Sequence, residues 1–266
     1  MNYQIAVENI RKELENYLIK SNLKSLVIGL SGGIDSALCT VLAAPVCKKL
    51  NIQLIGRSIS IETNKPEEKH RGKLIGEQFC TSFKEIDLTD LYFSTKNEIE
   101  EFSESIETER EKKIRLGNIK VRMRMIYLYN LAQKHKGMVI STDNYTELLL
   151  GFWTLHGDVG DYGMIQPLWK TEVFEMSKYL VDNELKTKEQ KESLQLSIEA
   201  TPTDGLGITN SDCEQLQAKN YYEVDKILQA YLNDGSFAEH AVIKRHLASE
   251  YKRNNPLNLT REQIVR

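Results

Sequence analysis

The segment Gly29-Leu30-Ser31-Gly32-Gly33-Ile34-Asp35-Ser36-Ala37 concentrates groups able to hold a phosphate chain. Glycines let a backbone approach a ligand closely and adopt conformations closed to other residues. Ser31 and Ser36 add hydroxyl donors, and a helix starting beyond the glycines presents free N–H groups to an anion. Asp35 is out of place in a pure anion site, because a carboxylate repels phosphates. A magnesium ion held between carboxylate and phosphate resolves the conflict. The pattern is neither the G-x-x-x-x-G-K-[ST] of a P-loop nor G-x-G-x-x-G. The plain alternative is a glycine-rich turn with a serine N-cap.

The elements that must position this loop follow from periodicity. Ser25–Leu30 is a short apolar run that reads as a buried strand, and Ser36–Leu50 as the helix after the loop, which Pro45 should kink or end. An amphipathic helix over Tyr3–Ile19 precedes them. Ile52–Ser60, Thr81–Leu88 and Met138–Ser141 read as further strands, with a helix over Glu67–Cys80 and a wide apolar face predicting a well-buried helix over Ile119–Lys134. Asp90 to Arg115 is too charged to build a core and reads as a mobile helix or exposed loop. The chain turns irregular after Gly151, then helical at Thr171–Leu180 and at Tyr221–Leu232.

Strands alternating with helices imply parallel βαβ units. The expected fold is α/β: an open, mainly parallel sheet with helices on both faces and a helical C-terminal extension. One domain over 1–266 is the simplest division, with an N-terminal helix (1–22), an α/β nucleotide-binding core (23–180) and a mainly helical part (181–266).

Composition limits the function classes. Apolar residues make up 41% of the chain and charged residues 27%, as in an ordinary globular protein. A net charge of −3 gives no footprint for nucleic acid. No apolar run has membrane-spanning length and the acidic N-terminus is no secretory signal, so a cytoplasmic location is expected. Cys39, Cys47, Cys80 and Cys213 form no C-x-x-C pair and no zinc spacing, and read as reduced structural thiols.

The loop resembles the SGGxDS pyrophosphate loop of the N-type ATP pyrophosphatases. Downstream, Gly117–Met125 (GNIKVRMRM) is similar to a GNxKARxRM stretch of NAD synthetases, and Ser141–Glu147 (STDNYTE) to their GTDxxxE. Gly151–Asp158 (GFWTLHGD) resembles GFFTKYGD. Pro167-Leu168 with Lys170, Pro202-Thr203, and Tyr221–Leu228 (YYEVDKIL) resemble later elements in the same order. The resemblance covers roughly residues 25–255 and points to the ammonia-dependent NAD synthetase family, whose fold is like that of the adenine nucleotide alpha hydrolases.

This resemblance implies an ATP-dependent ligase that amidates the nicotinate carboxylate of deamido-NAD through an acyl-adenylate attacked by ammonia. ATP is the co-substrate, and AMP and pyrophosphate are released. By the same resemblance Ser31, Gly32, Gly33, Asp35, Ser36, Arg57, Thr142, Lys170 and Thr203 contact ATP, with Arg57 expected at the end of the second strand. Asp35 and Lys170 are catalytic. Asp35 and Glu147 hold Mg2+, although Asn144-x-x-Glu147 also fits a helix capping box. Arg122, Phe152, Trp153, Asp158, Asp161 and Lys252 face the substrate. An arginine on a helix or an aromatic pair also has an ordinary structural use, and Arg124 reads as structural. The long helix resembles the dimer-forming helix of the family, which implies a homodimer. No glutamine-hydrolysing domain fits before Ser25, so free ammonia or a separate partner is the expected nitrogen source.

The chain departs from the family at Leu155 and Tyr251, where a lysine and a histidine are common. Asp161 sits one residue early, and the segment ending at Lys170 is shorter. The ATP-side motifs are kept while the substrate-side motifs drift. Nicotinate mononucleotide is therefore an alternative acid, and the ATP pyrophosphatase module of another amidotransferase an alternative setting.

Overall fold

The computed structural model describes residues 1–62, 64–100, 107–202 and 212–265. The N-terminal part runs α1 (Tyr3–Ser21), β1 (Ser25–Gly29), α2 (Ile34–Leu50), β2 (Gln53–Ser60), α3 (Pro66–Phe79), β3 (Ser82–Asp87) and α4 (Thr89–Ile99). It continues through α5 (Glu109–Lys134), β4 (Gly137–Ser141), α6 (Tyr145–Leu150), β5 (Tyr162–Gly163), α7 (Lys170–Asn183) and α8 (Lys188–Glu199). The C-terminal part adds α9 (Asp212–Gln215), α10 (Tyr221–Asp234), α11 (Ala241–Ala248), α12 (Glu250–Arg253) and α13 (Arg261–Val265).

The strands form one parallel sheet in the order β3-β2-β1-β4-β5. Strand β1 shows why it is central. Leu26 and Ile28 pack on one face with α1, α2 and α7, while Val27 packs on the other with Leu128 and Ala132 of α5. Such two-sided burial demands an unbroken apolar strand. A separate apolar cluster joins Leu149 and Leu150 of α6 to Tyr221, Val224 and Leu228 of α10. It ties the C-terminal helices to the strand ends.

After β1 the chain builds outward through β2 and β3, then returns to place β4 on the other side of β1. The C-terminal ends of β1 and β4 therefore flank a topological switch point, where open α/β sheets leave a crevice.

Four sequence expectations need correction. Helix α2 continues through Pro45 to Leu50, so the proline does not end it. Its residues from Ile34 to Ala43 are almost all buried, and that packing outweighs the ~3 kcal/mol cost of an internal proline. Helix α5 is longer and less covered than its apolar face suggested: Gly117, Met123, Leu128 and Ala132 are buried, but Ile126 is 71% exposed. One side lies on β1 and β4 and the other faces outward. The charged stretch after Asp90 is partly ordered helix, because Tyr92 of α4 is buried beside Ile61 and Met123. Residues 101–106 lie outside the described residues. The irregular segment after Gly151 also contributes a short fifth strand, which its two residues could not announce by periodicity.

Candidate active site

Three helices begin at the switch point, and each brings one charged residue in its first turn. Asp35 is the second residue of α2, Glu147 the third of α6 and Lys170 the first of α7. Carboxylates are favoured at such helix starts, where the macrodipole is positive; a lysine is not. Lys170 is held there by its partners. Its Nζ lies 2.5 Å from Asp35 Oδ2 and 2.9 Å from Glu147 Oε1. The Tyr221 ring lies 5.4 Å from the same nitrogen.

Asn144 ties the Asp35 carboxylate to the start of α6. Its Nδ2 donates to Asp35 Oδ1 at 2.8 Å, and its Oδ1 caps α6 by accepting from the Glu147 backbone N–H at 3.0 Å. Half of the anticipated capping box is thus present, while the Glu147 side chain turns to Lys170 instead of back to the backbone. The Lys170 side chain is 3% exposed, whereas Asp35 and Glu147 keep 16% and 19%. Burial and the neighbouring Asp35 push the Glu147 carboxyl up, only partly countered by Lys170. The two carboxylates raise Lys170 and keep it charged in spite of its burial.

The loop at Ser31–Ser36 closes beside this triad. Gly32 has φ +83°, and a Cβ there would meet the Glu68 carbonyl oxygen at 2.1 Å. Glycine is therefore required on two counts. The Gly32 carbonyl accepts from Arg71 Nε at 2.8 Å. Ser31 Oγ and Ser36 Oγ lie 3.2 Å apart, and Gly33 N donates to Ser31 Oγ at 3.2 Å.

A cleft of about 590 Å³ runs from this loop to the Gly151–Asp158 segment and the C-terminal helices. Lys69, Arg71, Arg110, Arg122, Arg245 and Lys252 all line it, in a chain whose net charge is −3. Arg122 Nη2 donates to the Leu155 carbonyl at 3.0 Å, and Asp158 accepts from the Thr154 N–H at 2.7 Å. The Arg245 guanidinium stacks 3.9 Å from the Phe152 ring centroid. Lys252 Nζ donates to the Gly151 carbonyl at 2.7 Å and to that of Trp153, and lies over the Trp153 ring. Two buried donors on cleft-lining residues, Arg57 Nε and Trp153 Nε1, have no hydrogen-bond partner.

Most of the residues singled out in the sequence line this cleft, including Thr142. Arg57 also lines it, but from within β2 and not from its end. Its Nη1 is engaged by the Gly56 and Ser82 carbonyls at 2.7 and 3.1 Å. Arg124 holds the Ile59 carbonyl and Asn64 Oδ1, as a structural arginine does. Asp161 is not brought to the cleft of this chain. Its carboxylate accepts from Val139 N and Tyr129 OH, both at 2.9 Å, pinning β4 to α5. Thr203 lies outside the described residues. Asn144, Tyr221, Asp225 and Arg245 were not selected from the sequence. Asn144, Tyr221 and Asp225 lie inside matched segments, where asparagine as an N-cap was the only local signal.

Two hard carboxylate oxygens converging on one cationic nitrogen at three helix N-termini suit a divalent ion that also binds phosphate oxygens. Among the described residues no cluster of three or more acidic, histidine or cysteine side chains is able to hold a metal alone. Any such ion would draw its remaining ligands from a polyphosphate or from water.

Comparison with known proteins gives a consistent result. Residues 6–260 match the family model described as NAD synthase. The NH(3)-dependent NAD(+) synthetase of Fusobacterium nucleatum is 32% identical, the match covering 92% of this chain and 95% of that protein. The enzyme of the same description from Finegoldia magna is 32% identical over 95% of each chain. Among solved structures, the NMN synthetase of Francisella tularensis superposes with a TM-score of 0.79 at 25% identity, covering 98% of both chains. The NH3-dependent NAD synthetase of Campylobacter jejuni gives 0.72 at 21% identity, over 98% of this chain and 100% of that one, which speaks for the fold alone.

Proposed function

The chain belongs to the NAD synthase family, and from that premise we propose how its cleft forms an amide. The protein is an ATP-dependent ligase that joins ammonia to the nicotinate carboxylate of deamido-NAD. The observation that carries this reading is Lys170 seated between Asp35 and Glu147 beside the Ser31–Ser36 loop.

A carboxylate resists amines because it lacks a leaving group. ATP supplies one. The pyridine carboxylate attacks the α-phosphorus, the bond to the β,γ-pyrophosphate breaks, and an acyl-adenylate forms. Pyrophosphate leaves against the N–H groups and hydroxyls of the Ser31–Ser36 loop and the helix start behind it. Ammonia then adds to the acyl carbon, AMP departs with the bonding pair, and a proton is lost to give the amide. The protein contributes orientation and charge, with no covalent nucleophile of its own.

Asp35 and Glu147 are the residues that would hold Mg2+, which when bound neutralises phosphate charge. Lys170 occupies the point between them and supplies a fixed positive charge to the phosphates. Thr142 and Arg57 line the cleft and are assigned to the nucleotide, and Thr203 is assigned to it by motif alone. Arg122, Phe152, Trp153, Asp158 and Lys252 are assigned to the pyridine nucleotide, and Asp161, engaged by Val139 and Tyr129, to a supporting role. The outward face of α5 around Ile126 is the proposed homodimer surface. No described helix is long and apolar enough to cross a membrane, and nucleotide substrates suit a cytoplasmic setting.

The deciding assay is pyrophosphate release with ATP, Mg2+ and ammonium, offered deamido-NAD or nicotinate mononucleotide. Faster turnover of the dinucleotide is expected. Preference for the mononucleotide would retain the chemistry and overturn the substrate, and silence with both would overturn the reading.

A further inference from the structure

The geometry points to Asp225 of α10 as a positioning residue that sets Glu147 and Lys170 relative to one another; the inference rests on the reading of those two side chains given above. Asp225 is 2% exposed and touches neither of their charged ends. Its Oδ1 accepts from Thr146 Oγ1 at 2.6 Å, and its Oδ2 accepts from Thr171 N at 2.9 Å and Thr171 Oγ1 at 2.7 Å. Thr146 immediately precedes Glu147 on α6, and Thr171 immediately follows Lys170 on α7. The bonds close on themselves, because Thr146 Oγ1 accepts from the Lys170 backbone N–H at 2.9 Å.

One buried carboxylate thus joins the first turns of two helices from a third, adding to the direct ties that Lys170 makes with Thr146 Oγ1 and with Glu147. A buried charge is costly unless its lone pairs are filled, and these bonds fill them. One turn earlier on the same helix, Tyr221 lies against the Lys170 ammonium. Helix α10 therefore bears on Lys170 at both ends, indirectly on its backbone by way of Asp225 and Thr146 and directly on its head through Tyr221. Since α10 belongs to the helical C-terminal part, the tie couples that part to the phosphate site. Supporting partners of this sort typically change affinity or rate by about 10–100-fold when lost.

The test is Asp225→Asn, which keeps the shape but turns an amide N–H towards donors that need an acceptor. Binding of MgATP is measured by calorimetry without acid or ammonium, beside kcat, the KM for ammonium and the melting temperature, all well below the variant's own melting point. MgATP affinity and kcat should each fall about tenfold while the ammonium KM stays within about twofold. A folded D225N with wild-type MgATP affinity and kcat overturns the inference. Should D225N fail to fold, Thr171→Val removes only the hydroxyl donor and should cost about threefold on the same readings; no change there is equally fatal. Glu147→Gln separates the two levels. If E147Q binds MgATP like wild type, the reading of Glu147 falls and takes the inference with it. If E147Q loses affinity while D225N keeps it, the coupling alone fails.

Discussion

Lys170 Nζ lies 2.5 Å from Asp35 Oδ2 across 135 positions of sequence, so the first turn of α7 is locked to the first turn of α2. With Glu147 on its other side, the lysine draws together acidic side chains from two different helices. Its charge is structural before any nucleotide arrives, and it is the charge proposed to meet a phosphate oxygen afterwards.

Replacing Lys170 by methionine should therefore have two separable effects. Turnover should fall by about 10²–10³, as when one electrostatic donor is removed from a preorganised site. In chelator, the unpaired carboxylates should lower stability by about 3–5 kcal/mol. Added Mg2+ should then raise the melting temperature of K170M more than that of wild type, and equal shifts would argue against a shared cation position.

Burial and Asp35 raise the Glu147 carboxyl from an ordinary 4.5 to about 8. The folded chain therefore keeps a proton that the unfolded chain has already released. The stability associated with this group is full below 4.5 and is lost as pH climbs through about 8. E147Q cannot ionise. Without metal or nucleotide, its melting temperature relative to wild type should be a few degrees more favourable at about pH 8.5 than at about pH 5.5. A pH-independent difference would contradict the raised carboxyl.

Gly32→Ala should be among the most damaging small substitutions in the chain. The positive φ and the 2.1 Å approach to the Glu68 carbonyl leave no place for a methyl group. A loss of about 2 kcal/mol or more in urea unfolding is expected, with ATP binding lost beyond what unfolding explains. Wild-type ATP affinity in G32A would mean that the loop does not touch the phosphates.

The Arg245–Phe152 stack is expected to shape the pyridine end of the cleft. Phe152→Ala removes the face on which the guanidinium rests, a contact worth about 0.5–2 kcal/mol. The KM for the pyridine substrate should rise about 2–30-fold while that for ATP stays unchanged. A rise confined to ATP would move this wall to the other substrate.

Ile126 on α5 is 71% exposed, and Ile126→Glu should convert a dimeric elution mass to a monomeric one. A wild-type monomer at assay concentration would remove the dimer proposal.

Much of this site was legible because its chemistry is local. Ser31–Ser36 carries its glycines, hydroxyls and helix start in consecutive residues, and the strand before it is an unbroken apolar run. Collinear segments at Gly117, Ser141, Gly151 and Lys170 gave the family, and with it the cleft side chains. Burial was less legible. The apolar residues of α5 could not say that the sheet would cover only one of its sides, and Pro45 could not say that packing would carry α2 past it.

The sequence by itself determined the loop, the alternation of strands and helices and the family. Only the tertiary structure decided that α2, α6 and α7 start at one point, that Lys170 is the cation between two carboxylates, and that Asp225 ties their helices together. It also turned Asp161 to Val139 and Tyr129. The physical reason is range. Turns, caps and strand burial are set within a few residues, whereas ion pairs and buried carboxylate ties join positions whose proximity exists only once the sheet has assembled.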